Sequence, residues 1–178
     1  MNLFHKRTTL YILFVSTIVM IVLMFFQGKP LNNTASIISL ELAATQTDVQ
    51  AVLETWSEAS TREVDLIQVA VANTRLDFLF LLAYSLFLFT VVTQLGSYFS
   101  SRNLFKLVAY AALLSGILDV VENIGMLQSL RGNISDNVAL ATAVASYFKW
   151  VLVICVITFV LVAFMAKLIQ NKKQPGLN

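Results

Sequence analysis

Four long apolar segments, three of them joined by short turns and one preceded by a longer polar stretch, set the limits on how this chain can fold. They cover residues 9–26, 76–95, 107–127 and 138–166, and each is rich in Leu, Val, Ile, Phe and Ala and free of proline. About 20 helical residues are needed to cross about 30 Å of hydrocarbon. Backbone groups in hydrocarbon have no water to bond, so each segment is expected to form a continuous helix that satisfies its own N–H and C=O groups. The predicted fold class is all-α: a four-helix transmembrane bundle forming a single integral membrane domain over residues 1–178. The two prolines, Pro30 and Pro175, fall outside the segments. The fourth segment is longer than a crossing requires, and it is expected to tilt or to project past the headgroups at its N-terminal end.

Composition removes several classes of function. With 58% hydrophobic and 12% charged residues, a soluble globular domain is excluded. The one cysteine, Cys155, sits in an apolar stretch and reads as apolar filler, and the one histidine is His5. Neither a disulfide framework nor a zinc site can be built within the chain. No cofactor, resident metal, catalytic set or nucleic-acid partner is expected; membrane lipids are, and so is a further copy or a partner membrane protein.

The basic residues predict orientation, because Lys and Arg beside spans are retained in the cytoplasm. One face would carry Lys6, Arg7, Arg102, Lys106, Lys167, Lys172 and Lys173 and no carboxylate. The other would hold Lys29, Arg62 and Arg131 against Glu41, Asp48, Glu54, Glu58, Glu63, Asp65 and Asp136, with Arg75 at the edge of the second span. Both termini are therefore expected in the cytoplasm, and residues 28–74 form an extracytoplasmic loop. The first apolar run is too long for a cleaved signal peptide, and Gln27-Gly28-Lys29-Pro30 offers no small-x-small cleavage pattern, so a retained signal anchor is expected.

Within the loop, Thr45 and Asp48 match a capping box, followed by an apolar face of Val49, Val52, Leu53 and Trp56. Val64, Leu66, Ile67, Ala70 and Val71 make a second amphipathic pattern that can run directly into the second span. Two readings remain open for this region, a lid or docking element over the bundle and a short helical hairpin resting on the membrane surface. Two sequons, at Asn32 and Asn133, fall on the outer side and carry weight only in a cell that glycosylates secreted proteins.

Ionisable residues inside the spans are the features that bear on function. The third span contains Gly116-Ile117-Leu118-Asp119-Val120-Val121-Glu122-Asn123. Residues three and four apart share a helix face, so Asp119, Glu122 and Asn123 form one polar stripe, continued by Ser115 and Gly116. At about 1.5 Å per residue the stripe lies roughly 10 to 15 Å below the outer boundary, too deep for short acidic side chains to snorkel. Lys149, entering the fourth span from the same side, is the natural counter-ion. Asp77 and Arg75 bring polar groups of the second span to the same leaflet. These five ionisable residues sum to minus one when all are charged, and a proton shared by Asp119 and Glu122 is expected. Ala112 and Gly116, Ala139 and Ala143, and Ala141 and Ala145 give small-xxx-small spacing for close helix approach. The third and fourth spans are therefore expected to be neighbours, with Tyr84, Tyr147 and Trp150 as hydrogen-bonding walls. The aromatic run Phe78, Phe80, Tyr84, Phe87 and Phe89 reads as lipid-facing or core packing.

Leu76-Asp77-Phe78-Leu79-Phe80 with Tyr84, followed by Gly116, Asp119, Glu122 and Asn123, resembles a group of small four-span bacterial membrane proteins of unknown function that share L-D-F-L-F and G-x-x-D-x-x-E-N motifs. The resemblance spans residues 45–149 and implies a bacterial inner membrane, with no activity attached. Three readings of the buried charges follow from the residues. Intramembrane ionisable groups mark sites for protons, ions or small polar molecules. Paired charges can equally fix which helix packs on which, as in a structural or accessory subunit. Asp119 and Glu122 would also serve as an acid–base pair in a membrane-embedded enzyme, although no His or Cys supports them. Three carboxylates make a hard-cation site thinkable, with Lys149 competing for the same charge. Inverted repeats and Gly or Pro breaks, the marks of a carrier, are absent from the spans.

Overall fold

A computed structural model describes Phe4 and residues 6–173. His5, Pro175 and the side chains of Lys172 and Lys173 lie outside the described residues. Among those described there are six α-helices and no strand: α1 (Arg7–Gly28), α2 (Ile37–Glu41), α3 (Gln46–Ala59), α4 (Leu66–Gly96), α5 (Arg102–Leu130) and α6 (Asp136–Lys173), with a 3-10 turn at Lys29–Asn33. Four of the helices, α1, α4, α5 and α6, are long and apolar enough to cross a membrane. This is the architecture of a polytopic membrane protein.

The four long helices alternate in direction, so one end of the bundle carries Lys6, Arg7, Arg102, Lys106 and Lys167 and the other meets the segment between α1 and α4. Central to the packing is α5, which lies along both α4 and α6, whereas α4 and α6 meet only locally. The first helix packs on the outer flank of α4, and most of its surface, including Tyr11, Ile12, Val15 and Phe26, is exposed. The expected four-helix bundle is therefore a three-helix core with α1 attached at its side. A polar clasp makes that attachment: Asn73 Nδ2 donates to Gln27 Oε1 at 2.7 Å and to Met24 O at 3.2 Å, while Gln27 Nε2 donates to Val69 O at 2.8 Å.

The start of α4 lies well before the expected start of its span. Asp65 caps it, its carboxylate accepting from Ile67 N at 2.9 Å and Gln68 N at 3.2 Å, which satisfies donors that a helix start leaves open. From there the buried face runs in helical phase through Leu66, Ala70, Asn73, Thr74 and Leu81. The amphipathic pattern of Leu66, Ile67, Ala70 and Val71 thus runs directly into the second span, although Gln68, Asn73, Thr74, Arg75 and Asp77 dilute its hydropathy.

Residues 29–65 form a cap packed on the end of the bundle. The capping box closes as its spacing predicts, with Asp48 N donating to Thr45 Oγ1 at 3.1 Å and Thr45 N to Asp48 Oδ2 at 3.2 Å. It starts α3, whose Val49 and Trp56 are buried. Trp56 has no exposed surface, and its indole donates to Ala35 O at 2.7 Å. Together with Leu31, Leu40 and Val49 it joins Leu66, Ala70, Met126, Leu130 and Ala139 in one apolar cluster. Gln46 N donates to Asp136 Oδ1 at 2.8 Å, tying α3 to the start of α6. The segment is therefore seated on the end of the bundle through this apolar cluster.

Close approach of α5 to its neighbours depends on two glycines. A Cβ on Gly116 would lie 2.9 Å from Ser85 Cβ and Oγ of α4. A Cβ on Gly125 would collide with the Thr142 hydroxyl of α6. Ala112, Ala139, Ala143 and Ala145 are buried as their spacing suggests, whereas Ala141 is exposed and plays no part. Cys155 is exposed on α6 and fills no core position.

Overpacking of this kind costs about 1–3 kcal/mol, so Gly125→Val is expected to lower the unfolding midpoint in micelles. Gly125→Ala should recover most of its loss when combined with Thr142→Ala, which removes the colliding atom; equal melting of the single and double variants would refute the collision. In the cap, Trp56→Ala is expected to cost about 3–5 kcal/mol. It should open residues 29–65 to limited proteolysis before the bundle itself unfolds.

Candidate functional site

The stripe on α5 faces both neighbours at once. Asp119 and Glu122 are one turn apart, and Asn123 is one turn above Asp119; all three are at most 2% exposed. Lys149 of α6 points between the two carboxylates. Its Nζ donates to Glu122 Oε1 at 2.8 Å and to Asp119 Oδ1 at 3.3 Å, and lies 2.8 Å from Glu122 Oε2 as well. On the α4 side, Tyr84 donates its hydroxyl to Asp119 Oδ2 at 2.9 Å, and Asn123 Nδ2 donates to Asp77 Oδ2 at 2.6 Å. Asp119 thus accepts from two helices and joins α4 to α6 through α5.

A fourth carboxylate comes from the cap. Glu41, the last residue of α2, places Oε2 3.9 Å from Lys149 Nζ, and the same oxygen accepts from the Trp150 indole at 3.3 Å. Its side chain is only 12% exposed. Sequence reading leaves Glu41 among the outer-face charges. The signal that marks it is its setting, a carboxylate inside Ile37-Ile38-Ser39-Leu40-Glu41-Leu42-Ala43-Ala44, the one strongly apolar run of the segment between α1 and α4.

Most of the expected site residues come together, and two do not. Asp77, Asp119, Glu122, Asn123, Lys149 and Tyr84 form one connected network, joined by Trp150 through Glu41. Arg75 is exposed, on a face of α4 turned away from the network. Tyr147 is 62% exposed and packs edge-on against Phe148; one turn is 3.6 residues, so position 147 points away from the face that carries 149. Exchanging Arg75 for Glu41 alters the charge. The cluster now holds four carboxyls and one ammonium, which contacts three of them, a net charge of −3 with every group ionised instead of the −1 expected.

Ser146 Oγ, at the α5–α6 contact, is buried and without a hydrogen-bond partner among the described residues, whereas both oxygens of Glu122 lie against the Lys149 ammonium. Ser146 lies one turn before Lys149 and has no exposed surface. Its position three residues from Lys149 and four from Thr142 places all three on one face, a periodicity visible in the sequence and not used there. Such orphaned polar atoms are uncommon in folded proteins and are costly without a partner.

Towards the basic end the polar network stops. Ser115 and Ser85 donate to carbonyls of their own helices, Ala112 O and Leu81 O. Beyond them Leu88, Val92, Leu95, Phe105, Ala109, Ala112 and Val156 fill the interior. Buried Thr90 likewise bonds Leu86 O of its own helix. Among the described residues, no group of three or more His, Cys, Asp or Glu side chains is placed to hold a metal ion.

No protein-family model, no curated protein and no solved structure matches the chain. The function therefore has to be argued from the network itself.

Removing the ammonium strands carboxylates in low dielectric, a loss of about 3–5 kcal/mol for a broken buried pair. Lys149→Met is accordingly expected to reduce the yield of folded protein in membranes. Adding Glu122→Gln and Asp119→Asn to it should restore folded yield, measured by monodisperse elution in detergent. A Lys149→Met protein as stable as wild type would show that the ammonium is not what balances the cluster.

Proposed function

We propose that this is a multi-pass protein of a bacterial inner membrane, with both termini cytoplasmic and the helical cap outside, that binds a proton or a small polar ligand of positive charge beneath that cap. The observation that carries this reading is the convergence of Glu41, Asp119 and Glu122 on the single ammonium of Lys149, with a fourth carboxyl, Asp77, held beside them by Asn123. Charges in a low-dielectric interior demand compensation, and one cation cannot compensate four carboxylates. The unpartnered hydroxyl of Ser146 adds an acceptor at the same level. Orientation is argued from the division of charge, basic residues at one end and the acidic cap at the other.

Binding is favoured over passage because the apolar layer from Leu88 to Val156 separates the network from the basic end. An enzymatic role for Asp119 and Glu122 gains no support, since Lys149 engages both. The structural reading has a specific observation in its favour: Lys149 contacts groups on α2 and α5 from α6 and so fixes the seat of the cap.

Asp119→Asn and Glu122→Gln separate the two readings. Both are expected to remain folded, with wild-type helicity and elution, and to take up fewer protons than wild type in potentiometric titration from nanodiscs, or to lose a small molecule that wild type retains in native mass spectrometry. Unchanged uptake with no retained molecule refutes the binding site. Failure of both variants to assemble in the membrane assigns the charges to packing.

A further inference from the structure

All ten acidic residues of the chain lie in the cap, at its junctions with the bundle or in the buried network. None is at the opposite end, where Lys6 and Arg7 precede and begin α1, Arg102 and Lys106 begin α5, and Lys167 lies near the end of α6. No Asp or Glu among the described residues pairs with these cations. At this end a lateral groove of about 300 Å³ opens between α1, α4 and α6. Its walls are apolar, with Leu10 from α1, Val91 and Leu95 from α4, and Leu161 and Phe164 from α6. It exists because α1 packs on α4 and not on α6, which leaves a strip of α4 uncovered between them.

The mouth of the groove is built differently. Lys167 Nζ sits 3.2 Å above the centroid of the Tyr98 ring, held by the ring's negative face. Gln94 Nε2 donates to Phe4 O at 3.0 Å and Lys6 O at 3.3 Å, which draws the basic start of the chain to the same rim. A positioned ammonium with no Asp or Glu partner among the described residues, above an apolar trough on a membrane-compatible helix face, is complementary to one kind of molecule.

We propose that this groove binds an anionic glycerophospholipid of the adjacent leaflet, one acyl chain lying along Leu10, Val91, Leu95, Leu161 and Phe164 and the phosphate paired with Lys167. Neutral phospholipid offers the same chain and a phosphate whose charge its own headgroup cancels. Lys and Arg near a membrane surface attract anionic lipid, and the groove turns that diffuse attraction into a defined position.

The test is native mass spectrometry of the full chain released from nanodiscs containing equal phosphatidylglycerol and phosphatidylcholine. Wild type is expected to retain phosphatidylglycerol in preference to phosphatidylcholine. Lys167→Gln should cut that preference about fivefold, as loss of one basic contact predicts, while Lys106→Gln, at the same end but off the groove, leaves it at the wild-type level. Leu161→Trp, at a largely exposed position that fills the trough, should reduce retention of both lipids, with helicity and elution unchanged. Equal retention of the two lipids by wild type overturns the proposal. So does an equal loss in Lys167→Gln and Lys106→Gln, which would mark unlocalised surface charge. Retention of inorganic phosphate by the delipidated protein as strong as that of the lipid would remove the acyl chain from the site.

Discussion

Lys149 is the interaction on which the rest of the interior depends. It is the only cation within the buried network, and it reaches carboxylates on α5 and on the cap from its place on α6. Desolvating an ion pair typically cancels much of its attraction, so such a cluster adds little net stability compared with well-packed apolar side chains. What it adds is selection among arrangements. A register shift of α6 against α5, or a cap seated elsewhere, would leave Glu122 and Asp119 without their ammonium. The same dependence leaves the cluster acidic, because it holds one cation and four carboxyls.

The packing around the network is consistent with that role. Gly116 and Gly125 bring α4 and α6 close to α5 from opposite directions, so short side chains such as Asp119 and Ser146 face the interface without spacers. Van der Waals contact between small residues, and not an apolar driving force, is what associates helices in lipid. The first helix shows the contrast. It has no small-residue seam and no charge in its span, and it attaches through the Gln27–Asn73 clasp at one end and Gln94 at the other. A groove between α1 and α6 is the geometric result.

Much of this was legible from the residues. The four spans, the capping box at Thr45 and the pairing of Lys149 with Asp119 and Glu122 follow from local rules: length of apolar runs, cap spacing, and positions three and four apart. Depth and counter-charge brought Asp77 and Lys149 into the same set before any geometry was known. Glu41 was not legible, because its link to Lys149 spans 108 positions and depends on how α2 seats on the bundle. The exclusion of Tyr147 was within reach, since residues two positions apart on a helix face opposite ways, but aromatic character outweighed it; that of Arg75 depends on how α4 is rotated against α5, which basic character does not encode. Ala141 failed for the same reason. The early start of α4 was legible in the amphipathic pattern of Val64, Leu66, Ile67, Ala70 and Val71, which points straight into the second span, although a hydropathy window alone counts the polar residues there against it.

The asymmetry of the interior bears on what the site can do. On the cap side the network ends at Glu41, whose 3.9 Å separation from Lys149 is the longest of the ammonium's three ion-pair contacts. On the other side it ends at hydroxyls turned back onto their own helices, followed by a layer of Leu, Val, Phe and Ala. Polar groups carry protons or ligands only where donors and acceptors continue, and here they continue in one direction. On the proposed reading, such a site exchanges with the cap end alone. Occupancy would then act on the seat of the cap through Glu41, the one member of the network that belongs to it.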